Sequence, residues 1–171
     1  MNNLGCIKKI IHLLRLKEGE HMTEPKSDKK NKLKISILLF SIVMAFMYSM
    51  GIYDLFMMLS HNSVYYEAHG YNHLVVEYFT NYPIIFLVFW VTNLISGILS
   101  PLFILFHKNK KIGIRLALIS AVSDFILLIA TFLFRNRLEV LGKEVAFFDL
   151  FILLLSYGFY KFCKKVYSNE H

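Results

Sequence analysis

Apolar residues in this chain gather into long runs. They do not alternate as in a strand, and they do not form the one-sided stripe of a surface helix. Four runs stand out, at 35–59, 83–106, 112–134 and 145–160. A bilayer-crossing helix needs about 20 mostly apolar residues. The pattern therefore predicts four transmembrane helices, of which the last is short unless Glu144 or Lys161 extends its charged end into the headgroup layer. The expected fold is all-α, an integral membrane four-helix bundle.

The polar positions inside the runs carry the information. Asp124 lies near the middle of the third, where an ionised carboxylate costs roughly 2.5–3.5 kcal/mol or more, so it should face protein or a wet cavity. Asn93, Ser96, Gly97 and Ser100 share one helical face of the second run, and Ala117, Ser120, Ala121 and Asp124 share one of the third, with Thr131 beyond. Faces this small let helices approach and hydrogen-bond, whether for packing alone or for a site. With the two helices antiparallel, Asn93 and Asp124 each fall about ten residues from the same border, near ~15 Å depth at 1.5 Å per residue. These positions define a candidate midplane polar site of Asp124, Asn93, Ser96 and Ser120. Asp54 and Asp149 sit some five residues inside that same border, and Arg135 and Arg137 lie on it. The four define a candidate outer polar cluster, although arginines at a helix border also serve as headgroup anchors.

Composition agrees with this pattern. At 171 residues, 56% hydrophobic, with a mean hydropathy of +0.50, the chain carries more apolar surface than one soluble core hides. Its formal charge of +7 is concentrated at helix borders, which argues against nucleic-acid binding. Nine Lys or Arg precede the first run, none lies between the first and second, and four cluster at Lys108–Arg115; three lie between the third and fourth and three follow. The positive-inside rule then places both termini and the 107–111 turn in the cytoplasm. Cys6 and Cys163 fall on that reducing side, so neither a disulfide nor a paired metal site is expected.

The domain reading is a basic cytoplasmic tail over 1–32, a four-span domain over 33–166 and a short tail over 167–171. Leu4–Leu16 has the spacing of a weak amphipathic surface helix, but Met22 opens a polar tail that would serve equally well as a start. Lys8, Lys9 and His12 interrupt the apolar stretch, so no secretory signal is expected. Thr23 to Lys32 reads as a linker.

Between the first and second runs, His69, His73 and Glu77 recur at i, i+4 and i+8, which on a continuous helix would stack three metal ligands. Gly70 weakens that helix, and the surrounding Tyr65, Tyr66, Tyr71, Tyr78 and Tyr82 suit an interfacial aromatic belt. The methionines of the first run suit gap-filling between helices better than copper, because no Cys or His accompanies them in the bilayer. All seven histidines lie outside the runs, which leaves no paired haem ligands in the bundle, and no phosphate loop, nucleophile elbow or Cys-x-x-Cys occurs. No cofactor and no enzymatic activity are expected.

The pieces Tyr53-Asp54-Leu55-Phe56, Tyr78-Phe79-Thr80-Asn81-Tyr82-Pro83, Phe89-Trp90-Val91-Thr92-Asn93, Ser123-Asp124-Phe125 and Phe134-Arg135-Asn136-Arg137 together resemble a family of small, uncharacterised four-span bacterial inner-membrane proteins. The resemblance covers residues 36–165 and implies a multi-pass protein of the bacterial cytoplasmic membrane. Two functions compete. One is transport of a small solute or ion through an acid-lined interior, as a homo-oligomer because four helices are few for a monomeric pathway. The other is a non-catalytic accessory or assembly subunit. Transport is the favoured expectation, with the lipid bilayer, a further copy of the chain and an unspecified small solute or cation as partners.

Overall fold

The structure is a computed structural model that describes residues 26–106 and 109–168, with side chains over 31–106 and 109–167. Every regular element among them is helical: α1 (Lys26–Leu59), α2 (Ser63–Ala68), α3 (His73–Thr80), α4 (Ile84–Leu105), α5 (Lys110–Phe134) and α6 (Arg137–Ser168). The expected surface helix at Leu4–Leu16, the alternative start at Met22 and Cys6 lie outside the described residues. Two compact units divide after Ser36. In the first, the described part is helical from Lys26, where the sequence reading placed a linker; the second holds everything that follows.

α1, α4 and α5 are each long and apolar enough to cross a membrane, which is the make-up of a multi-pass membrane protein. Their outward faces would be costly in water: Phe46 is 63% exposed and Phe56 67%. α6 carries the fourth apolar run but differs from the expected simple span. It begins at Arg137 and is broken at Gly142, whose φ of 84° and ψ of 171° suit only glycine. The turn before it is similarly specific, since Asn136 adopts φ 47°, a left-handed conformation that asparagine tolerates better than most side chains.

α4 and α5 form the closest helix pair, and their small residues are the reason. Ser100 donates to the Gly113 carbonyl at 2.8 Å, and a Cβ on Gly113 would fall 2.7 Å from Ile104 Cγ1. α1 reaches the pair with a large side chain: the ring of Tyr48 occupies the space beside Gly97 that a Cβ would need. Ile37, Met44, Tyr48, Leu94, Ile104 and Phe159 build the main core from α1, α4 and α6.

At the end of the bundle where α1 finishes and α4 begins, two short helices make a cap. Asn62 opens α2 by accepting from the Tyr65 amide at 2.9 Å, and Asn72 opens α3 by accepting from Leu74 at 3.0 Å. Both helices are too short to persist alone. They hold because Tyr65, Tyr66, Val75, Tyr78 and Phe79 bury against Met58 and Leu141 in a second apolar cluster.

Candidate functional site

A hydrogen-bonded chain of side chains runs through the bundle and draws on four helices. Asn93 of α4 donates Nδ2 to Asp124 Oδ1 of α5 at 2.9 Å. Ser120, one turn before Asp124, gives its single proton to Asn93, whose Oδ1 lies at 2.6 Å and whose backbone oxygen lies at 3.1 Å. Tyr48 of α1 is therefore the donor to Ser120 at 2.6 Å, and its hydroxyl also lies 2.9 Å from Ser156 of α6. A polar atom among apolar helices needs a partner, and here each finds one across a helix boundary. Within this chain of side chains the exception is Asp124 Oδ2, which is buried and unpartnered; elsewhere among the described residues Ser41 Oγ, the Tyr78 hydroxyl and Arg135 Nε are so too.

The structure thus brings Asp124, Asn93 and Ser120 together. Ser96 touches them only through the backbone: buried, it turns back along α4, where its hydroxyl lies 2.5 Å from the Thr92 carbonyl and 3.3 Å from that of Asn93, and it bonds to no side chain of the group. Sequence reading missed Tyr48 and Ser156. The available signal was a tyrosine and a serine inside apolar runs, where each must find a partner, together with small positions such as Gly97 that leave room for a ring.

At the cap end, Arg137 and Asp149 form a two-pronged pair, Nε to Oδ2 at 2.7 Å and Nη2 to Oδ1 at 3.1 Å. Twelve residues on a straight helix would separate them by about 18 Å. The break at Gly142 folds the first turn of α6 back and closes that gap. Burial opposes the charge of Arg137, but the Asp149 carboxylate beside it outweighs burial and raises its pKa above the ordinary value.

The other two members of the expected outer cluster behave differently. Among the described residues Arg135 pairs with no carboxylate; it donates to the Tyr78 carbonyl at 2.5 Å and stacks on the Tyr78 ring at 4.7 Å. Asp54 meets no arginine among the described residues and accepts from the Tyr65 hydroxyl at 2.8 Å. Burial first, and this bond second, raise the pKa of Tyr65 above its ordinary value.

The metal spacing in the outer loop is not realised. His69 caps the end of α2, Gly70 takes φ 64°, and His73 starts α3, so His69, His73 and Glu77 never share a continuous helix. His69 instead donates Nδ1–H to the Tyr65 carbonyl at 2.8 Å and packs on the Tyr65 ring at 4.1 Å.

A cavity of about 490 Å³ joins the two polar regions. Asn93 and Asp124 lie on its wall, as do Asp54, Glu144 and the Arg137–Asp149 pair. Tyr65, Tyr71 and Tyr82 of the cap also line it, so it extends from the cap to the interior chain. Compared with known proteins, this chain matches no protein-family model, no curated protein and no solved structure.

Proposed function

We propose that this protein is a four-span transporter of the bacterial cytoplasmic membrane, moving a small solute or ion through the acid-lined interior of the bundle. The observation that carries the reading is the cavity: it connects the cap to Asp124, whose Oδ2 is a buried acceptor without a partner on its wall. A carboxylate kept for packing alone would have both oxygens satisfied, since an unpaired buried oxygen costs about 1–3 kcal/mol or more. One left unpartnered in a residue on a cavity wall suits a group that loads and unloads a proton or a cation. The groups facing it are Asn93 and Ser120, with Tyr48 behind them, Asp54 across the cavity and the Arg137–Asp149 pair toward the cap.

α6 serves as the fourth span. Its run from Val145 to Tyr160 is interrupted by Asp149 alone among charged residues, and its outer side is apolar, with Phe147 72% exposed and Leu154 62%. The distribution of Lys and Arg supports both termini in the cytoplasm and the cap outside. The small number of spans favours a homo-oligomer.

Vesicles holding the full chain and an internal pH dye are the test. Under an imposed pH gradient they are challenged with sodium, potassium and a set of small amines. Solute-dependent proton movement that Asp124→Asn abolishes, with unfolding temperature preserved, supports transport. Vesicles in which no solute moves protons, or in which the variant transports like wild type, favour a non-catalytic accessory subunit.

A further inference from the structure

The chemistry of the cavity wall narrows the solute, within the transport reading on which this step rests. Asp54, Asp124, Glu144 and Asp149 stand on the wall; among the described residues no lysine does, and Arg137 and His69 are its basic residues. Arg137 is committed to Asp149 through two hydrogen bonds, so that pair is close to neutral. The three remaining acids, Asp54, Asp124 and Glu144, outnumber His69 and leave the wall negative, and the buried Oδ2 of Asp124 is an acceptor with nothing on it.

The rest of the wall is soft and apolar. Phe79, Tyr82 and Trp90 pack on one another with ring centroids 5.4–6.0 Å apart. Met44, Met47 and Met58 add polarisable thioethers. This is poor ground for a bare inorganic cation, which wants six or more oxygens about it. Asn93, which bonds Asp124 through Nδ2, has its Oδ1 already accepting from Ser120. Aromatic faces attract a cation whose charge is spread over carbon substituents, and about 490 Å³ falls in the range of small-molecule pockets.

We infer that the cavity binds a monovalent organic cation, an ammonium bearing alkyl or aryl groups, with its charge toward Asp124 and Asp54 and its apolar part on the Phe79, Tyr82 and Trp90 rings. Trp90 is the one tryptophan of the chain, so its fluorescence reports on this wall alone.

The experiment titrates the detergent-solubilised full chain with benzyltrimethylammonium, with its uncharged carbon isostere neopentylbenzene, and with sodium chloride at matched ionic strength. The expected result is a saturable change in Trp90 emission with the ammonium, binding at least about tenfold tighter than the isostere, and no saturable change with sodium. Asp124→Asn should weaken the ammonium about tenfold or more, while Asp124→Glu, which keeps the charge, retains most of the affinity. Should Asp124→Asn not fold, Asp54→Asn reads the same electrostatic contribution. Equal affinity for the isostere, no saturable binding of the ammonium, or carboxylate variants that bind like wild type would each overturn the inference. Binding without uptake into vesicles would remove the transport reading and leave the site standing. Sodium-driven proton movement without ammonium binding would do the reverse.

Discussion

Asn93 holds Asp124 by one oxygen only: Nδ2 meets Oδ1 at 2.9 Å, while Oδ2 stays buried and unpartnered. Asn93 is also the acceptor for Ser120, so it links α4 to two positions on α5. Replacing Asn93 with Leu removes the donor to Asp124 and the side-chain acceptor of Ser120, leaving Ser120 the backbone oxygen of residue 93, and should destabilise by about 2–4 kcal/mol. Asp124→Asn removes a charge and keeps the shape, and should change stability by less than about 1.5 kcal/mol. Thermal unfolding of the two variants in one detergent checks the order; an Asp124→Asn protein less stable than Asn93→Leu would mean that the carboxylate is structural.

The Arg137–Asp149 pair lies between the buried and exposed extremes, with side chains 16% and 22% exposed. Asp149→Asn or Arg137→Gln alone should cost about 2–3 kcal/mol, and the double variant clearly less than the sum. Arg135 is bonded to Tyr78, so an Arg135→Gln and Asp149→Asn cycle should be additive to within about 0.5 kcal/mol. Coupling of Asp149 to Arg135 and not to Arg137 would contradict the geometry at Gly142.

Gly97 and Gly158 are both helical glycines with opposite surroundings. A Cβ at Gly97 collides with the Tyr48 ring, whose displacement would pull its hydroxyl from Ser120 and Ser156. Gly97→Ala should therefore destabilise by roughly 1–3 kcal/mol. Nothing lies within 4 Å of a Cβ at Gly158, so Gly158→Ala should be neutral or stabilise by up to about 1 kcal/mol. Paired melting curves decide between this packing and one in which Tyr48 lies elsewhere.

Alkaline pH should open the cap. Burial is the first cause that raises the pKa values of Tyr65, Tyr66, Tyr71 and Tyr82, so the folded state keeps their protons longer than the unfolded chain does. Their contribution to stability is present in full below the unfolded value of about 10 and is lost as pH rises toward the folded values. Tyrosinate absorbance should show a late fraction that titrates together with loss of cap structure. Tyr65→Phe, which also frees Asp54, should shrink that fraction; free titration of every tyrosine near pH 10 with the cap intact would refute this.

Much of the architecture was legible in the sequence. Runs of apolar residues of spanning length form helices wherever the backbone has no other hydrogen-bond partner, and α1, α4 and α5 appear where those runs lie. The meeting of Asn93 with Asp124 was also readable, because antiparallel helices of known rise set the depth of each residue, and the small residues around both let the helices close together. Arg137 and Asp149, by contrast, were grouped by depth with Arg135 and Asp54, and depth does not distinguish the two arginines. That distinction came from the backbone: the left-handed turn at Asn136 and the break at Gly142 aim Arg137 at Asp149 and leave Arg135 against Tyr78. Likewise, nothing in the chain order says that Tyr48 crosses Gly97 to reach Ser120 and Ser156, positions 72 and 108 residues away. Period and composition determined by themselves which residues are helical and which polar groups must seek partners in an apolar medium. Which partner each one finds depends on side-chain reach and helix rotation in three dimensions, and only the tertiary structure decided it.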